Sequence, residues 1–537
     1  MIYAALTAVA ALWACAPGLN DPYQAPHAAA LALVALLAAA SRGRGRSSLE
    51  LPVLAALGLW ALTIPSSRDL GCSLIGSHLA PFDGAVVVVT LTILLLCAGT
   101  SGATTSQVCR IIAVVSVPVS LLAVAQHLGY RDPMLPGKLP TGMRSVSTIG
   151  SPVYLGSVLA VCAAAIWSVR KQAPRLFWMS MPACAAALYC TRTRGAWIAA
   201  AAGICVHLPA RARAWVAGAA VAAAVVVSRA PSDTARVEIW KSALKLFWAD
   251  PVSGVGPGAF AVAYRQVISD AYVAVNGPLM VTQHGHNLLL DTAVTSGLFG
   301  LAALAVLAAA LARLLWRADR EDAAACGSVL MAYAAVAAFN PVSHCAVALV
   351  ALVAGCASRQ SGEPVVPRRL WALPALAALA VASSVVAGDR FYFMGLRSAN
   401  PFDRAYYYQK AAAWNRWDMK IATLRMEAVY KVLPAMDRPT VEAMAYAVTE
   451  EARVQVGRHP HDALAYEMLA KGLRLVADLG GPVSDQNVAD VLSKARSLAP
   501  TFTPLLAKES VALARVGDAA GASAASTRYG KIMALRN

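Results

Sequence analysis

The chain has 537 residues, of which 58% are hydrophobic and only 14% charged, and its mean hydropathy is +0.57. A water-soluble domain of this length is never so apolar, so the composition places the chain among helical membrane proteins. The net charge is +17, but the basic residues are scattered through short loops between apolar runs rather than gathered on one soluble face with aromatic platforms, which excludes nucleic acid as a partner.

Apolar runs of spanning length, roughly 17 to 25 residues when helical, recur from the N-terminus to about Gly388. They predict thirteen helices, centred near Ala8, Leu33, Leu57, Val89, Val117, Val161, Cys184, Ala202, Ala222, Leu304, Val336, Leu349 and Leu379. Asn340-Pro341 separates the Val336 and Leu349 runs, and a proline there fits either two short spans or one broken helix; the choice sets the side of the C-terminus. Residues 1–16 have no basic n-region and read as a retained anchor. One set of alternate loops is basic, with Arg42, Arg44 and Arg46, Arg110, Arg170, Lys171 and Arg175, Arg211 and Arg213, Arg313, Arg317 and Arg320, and Arg359, Arg368 and Arg369. This set belongs on the cytoplasmic side, which puts the N-terminus inside and the long polar loop 230–285 outside. Most of the eleven cysteines lie in apolar runs and no Cys-x-x-Cys occurs, so neither a disulfide framework nor a cysteine-based zinc site is expected.

From Asp389 the composition turns to mixed charge with Trp, Tyr and Ala at helical spacing. Segments 401–432, 460–479 and 495–529 read as helix pairs resembling tetratricopeptide repeats of irregular period, or as an irregular helical domain. The expected fold is therefore all-α. Residues 1–388 form a polytopic membrane domain of about 12–13 transmembrane helices with one large extracytoplasmic loop, and residues 389–537 a soluble helical domain able to recruit a protein partner.

Three polar clusters fall on the outer side. The first, Thr191-Arg192-Thr193-Arg194-Gly195-Ala196-Trp197, interleaves two guanidinium groups with hydroxyls; it is a donor-only surface suited to phosphate, with a snorkelling membrane anchor as the competing account. The second joins an amphipathic stretch, Arg236-Val237-Glu238-Ile239-Trp240-Lys241, to Asp250-Pro251-Val252-Ser253-Gly254-Val255-Gly256-Pro257-Gly258-Ala259-Phe260. Its glycine run superficially resembles a nucleotide loop but lacks the preceding strand and the spacing, so a tight turn against another element is the better account. The third is His284-Gly285-His286-Asn287-Leu288-Leu289-Leu290-Asp291, where the loop re-enters the membrane. No carboxylate or cysteine cluster beside the histidines in sequence points to a metal. A helix starting near His286 would keep that imidazole neutral by its dipole and able to accept a proton.

Taken in order, Thr-x-Thr-Arg-Gly-Ala, Arg-x-x-x-Trp, Asp-Pro-x-x-Gly-x-Gly-Pro-Gly-x-Phe and His-x-His-Asn-x-x-Leu followed by Gly297 and Gly300 resemble the O-antigen ligase and polymerase superfamily over roughly 141–340. The resemblance implies a bacterial inner-membrane glycosyltransferase with no cofactor and no metal, acting on the periplasmic side. It would move a glycan from an undecaprenyl-diphosphate carrier to a lipid A core sugar, another glycan or a protein hydroxyl. It further implies that Arg194 and Arg236, with Arg192 beside them, hold the diphosphate, that His286 is the general base, and that His284 and Asn287 orient it or the acceptor. The chain departs from the family at Ser151-Pro152-Val153, where an Asn-Pro-Asn-like element is usual, and at Thr295, where an acidic residue is usual; Asp291, one turn earlier, offers a carboxylate instead. A transporter or flippase would place its polar residues at mid-membrane. A noncatalytic assembly protein would leave the paired arginines and the His-Asn pair unexplained.

Overall fold

The computed structural model describes residues 1–41, 45–76, 83–130, 142–209, 211–212 and 231–535. They form an all-α protein. The first described helices are α1 (Ile2–Trp13), α2 (Gln24–Ala40), α3 (Glu50–Ala61), α4 (Leu70–Leu74), α5 (Ala85–Gly99), α6 (Thr105–His127), α7 (Pro152–Ser168), α8 (Pro174–Thr191), α9 (Arg194–Cys205), α10 (Pro231–Ala249), α11 (Phe260–Tyr264), α12 (Asp270–Asn276), α13 (Leu288–Arg317), α14 (Arg320–Ala337), α15 (His344–Ala357) and α16 (Ala372–Arg397). The tail adds α17 (Pro401–Trp414), α18 (Met419–Val432), α19 (Arg438–Arg458), α20 (Ala463–Asp478), α21 (Asp485–Leu498), α22 (Thr503–Arg515) and α23 (Ala519–Ala534), in which consecutive helices mostly pack on one another.

Twelve of the thirteen expected helix centres fall on these helices; the one at Ala222 lies outside the described residues. Among the described residues Thr105–His127, Leu288–Arg317 and Arg368–Arg397 are long and apolar enough to cross a membrane, and six shorter helices are predominantly apolar. At the centre stands α7, buried continuously from Leu155 to Ile166 and packed by α6, α8, α9 and α14. Small residues let the backbones close up: Gly203 faces the Ser328 carbonyl and Ala332, and Gly355 faces the Leu95 carbonyl and Ala98.

The helices alternate between two ends of the bundle. At one end lie the described basic loops: Arg46 and Ser47 pair with Gln360 and Arg359 in a two-residue antiparallel ladder, and Arg368 donates to the Cys97 carbonyl (2.9 Å). At the other end Gln24 donates to the Ile149 carbonyl (3.0 Å) and Thr193 to that of Pro152 (3.0 Å). Asn340 and Pro341 form the turn between two separate helices, α14 climbing to this second end and α15 returning from it. Helix α16 then climbs back, running unbroken past Asp389 to Arg397, so the tail emerges at the second end, beside residues 231–287. There His459 Nδ1 meets Asp69 (2.6 Å) with both side chains buried, Arg528 grips Asp270 (2.7 Å), and Leu506 and Ile532 join the apolar cluster of Ile239, Tyr264 and Val294.

Candidate functional site

The second end of the bundle is organised by a break in α13. Gly297 takes φ 56° and interrupts the helix, freeing backbone groups on both sides. Segment 251–256 satisfies them: Val255 and Gly256 amides donate to the Val294 and Thr295 carbonyls (both 2.9 Å), while Leu298 and Phe299 amides donate to Pro251 and Val252 (2.9 and 3.2 Å). The glycine run is thus the tight approach expected from the sequence, since a side chain at Gly254 would strike the backbone of residues 294–296. Arg68 reinforces it by pairing with Asp250 (2.5 Å).

Helix α13 begins two residues later than expected, at Leu288. Asn287 is its cap, accepting from the Leu290 amide (3.0 Å) while its Nδ2 donates to the Ala338 carbonyl (3.1 Å). Both polar ends of Asn287 are therefore engaged in tying the loop to the α14–α15 turn. His286 precedes the helix with a left-handed φ of 53°. Its pKa is lowered to about 4 by burial first, and then by the charges of Arg236 and His284. Burial and the neighbouring cations keep the imidazole neutral at neutral pH. Its Nδ1 is buried with no hydrogen-bond partner among the described residues.

His284 has the opposite character. Burial alone would lower its pKa, but Asp83 (Nε2 to Oδ2, 3.5 Å) and Asp291 (Nδ1 to Oδ2, 3.5 Å) outweigh burial and lift it to about 9. Tyr154 Oη stands 3.3 Å from the same Nε2. The intervening Gly285 is fixed on both sides, donating to Asp291 Oδ1 and accepting from Trp240 Nε1 (both 2.9 Å). Since neither histidine lies on the helix, the two need not point to opposite faces, and both line the same cavities.

The arginine motifs converge on Asn340. Arg236 donates to its Oδ1 (3.3 Å), and Gly195, next to Arg194, leaves room for its Nδ2, which a methyl group would overlap. Arg194 is half-buried as the first residue of α9, whereas Arg192 is exposed and closes α8 in the left-handed conformation. Arg144 joins them, donating to the Thr191 carbonyl (2.9 Å) and Thr193 Oγ1 (3.0 Å). Thr295 uses its hydroxyl on the Asp291 carbonyl, leaving Asp291 as the carboxylate beside the histidines.

Two cavities meet here. One, about 310 Å³, is lined by Asp83, His284, His286, Asp291 and Asn340; the other, about 580 Å³, by Tyr154, Arg236, His284 and His286. Residues 179–305 match the family model of the O-antigen ligases. Over that stretch the chain is similar to the O-antigen ligases. The match takes in all the motifs from Thr191 to Gly300, and no curated protein matches the chain. It supports ligase-like glycan transfer by a membrane protein. Asp83, Tyr154, Asn340 and Arg144, which the ligase core also gathers at this end, lie outside the matched segment. Asn340 alone carried a signal, as the residue before the proline that separates two apolar runs; Asp83 stands some 200 positions from His284 and nothing local marks it.

Proposed function

We propose that the chain transfers a glycan from an undecaprenyl-diphosphate carrier to an acceptor hydroxyl, as an O-antigen ligase-like enzyme whose site faces the periplasm from the inner membrane. The observation that carries this reading is that Arg236 and a neutral His286 line one cavity within a ligase-type core. His286 takes the proton from the acceptor hydroxyl. The freed oxygen bonds to the anomeric carbon of the donor sugar as the bond from that carbon to the phosphate oxygen breaks. Negative charge gathers on the departing lipid diphosphate, where Arg236 and Arg194 stabilise it without a metal; the exposed Arg192 extends the cationic surface. Asn287 positions the His286 loop through its two hydrogen bonds. A polysaccharide polymerase or protein-directed transferase of the same superfamily would use the same donor side, with a glycan or protein in place of the lipid A core.

The test is glycan transfer in membranes holding matched amounts of wild type and His286→Ala. General-base removal costs about 10² to 10⁴-fold, and EDTA should leave the wild-type rate intact. Near-normal transfer by the variant removes His286 from the mechanism, and loss in EDTA restored by a divalent cation removes the metal-free scheme. A reporter inserted at 277–283 should be active only as an extracytoplasmic fusion.

A further inference from the structure

A third cavity, about 280 Å³, lies between the membrane core and the tail. We propose that it is the acceptor subsite of the transferase proposed above, on which this inference rests, and that it takes a sugar ring bearing neither phosphate nor carboxylate, either neutral or amino-substituted. Its size is at the small end of ligand sites, which begin near about 300 Å³, and suits a single ring rather than a chain. The core provides Asp21, Gln24, Asp389 and Tyr392, and the tail provides Asn415 and Trp417. Aromatic rings beside carboxylates and amides are the groups that bind a sugar, the rings covering its apolar C–H face and the polar groups meeting its hydroxyls.

Charge separates this cavity from the donor side. Its described lining holds four carboxylates, including Asp83 and Asp418, and no Lys or Arg, whereas Arg236 lines the neighbouring cavity. An anionic acceptor would meet these carboxylates as like charge, while a hydroxyl or ammonium group meets acceptors. The spaces share Gln283, with Asp83 and Tyr154 each lining this cavity and one of its neighbours. A ring seated here lies against Asp83 and Tyr154, the two groups that approach His284 from this side, and the tail thereby selects the acceptor.

The experiment uses the purified full chain in detergent, with binding of free hexose, hexosamine, hexuronate and hexose phosphate read by saturation-transfer NMR. Hexose and hexosamine should bind and the two anions should not. Trp417→Ala should weaken binding roughly tenfold and raise the acceptor KM without raising the donor KM. Because Trp417 also packs on Gly71 and lies under Arg458, Asn415→Ala provides a second, gentler variant, expected to weaken binding several-fold. Equal binding of hexuronate, or wild-type sugar affinity in both variants, overturns the subsite. Should that happen while His286→Ala still abolishes transfer, only the subsite falls; absence of transfer by the wild type would instead remove the transferase reading.

Discussion

Gly297→Ala is expected to loosen the second end of the bundle although it adds a single methyl group. At φ 56° a residue with a side chain is disfavoured by roughly 1–2 kcal/mol. The added methyl would also overlap the Val252 carbonyl and lie 2.7 Å from the Ser253 nitrogen. To accommodate it, segment 251–256 must withdraw, which puts at risk the four hydrogen bonds it exchanges with residues 294–299. Each such bond contributes about 0.5–1.5 kcal/mol net, so the total loss is about 3–8 kcal/mol if all four break. Thermal unfolding in detergent should show a clearly lower Tm, and the Val255 and Gly256 amides should exchange with solvent about a hundredfold faster, the factor that roughly 3 kcal/mol gives. Unchanged exchange at those two amides with an unchanged Tm would refute the reasoning, because close approach is then not what the glycine provides.

Of the two histidines, His286→Ala should reduce transfer more than His284→Ala in membranes with matched protein, and the reverse order would exchange their roles. Arg236→Lys should lose most activity although the charge is kept, since lysine lacks the planar fork that meets phosphate oxygens; wild-type rates would make Arg236 an anchor of Asn340 only. Because His284 is lifted from 6.5 to about 9, its ion pairs contribute stability that is complete below pH about 6.5 and lost as pH rises through about 9. Asp83→Asn should therefore move the alkaline decline of Tm toward neutral pH, and an unmoved decline would leave Asp83 without that influence. Because His286 is lowered to about 4, the acid limb of the rate should lie well below 6.5, and Arg236→Gln, by removing one of its causes, should raise that limb in whatever activity remains.

The helices were legible because long apolar runs leave the chain few alternatives, and the order of motifs was legible because each is local. What stayed hidden was set by contact between distant segments. Helix α13 starts at Leu288 because Asn287 supplies a cap oxygen that His286 cannot, a preference the sequence does contain. The neutrality of His286 follows from burial first and then from Arg236 and His284, and the charge of His284 from Asp83 and Asp291 converging on one loop, which no spacing rule reveals. Asn340 could be read only as a helix interruption, although it is where the Arg194 and Arg236 segments meet.

Much of the ligase signature consequently specifies backbone approach rather than chemistry. Thr193 bonds the Pro152 carbonyl, Gly195 admits Asn340, Trp240 holds Gly285, Asn287 caps a helix, and Gly254 and Gly297 let two chain segments exchange hydrogen bonds. After these are accounted for, the matched segment leaves Arg236, His284, His286 and Asp291 lining the cavities, a set suited to a phosphate leaving group and a proton. None of them distinguishes one acceptor from another. Residues that could do so, Asp21, Asp389, Asn415 and Trp417, lie outside the matched segment, so relatives sharing every motif could differ in acceptor according to what their remaining chain brings to this end of the bundle.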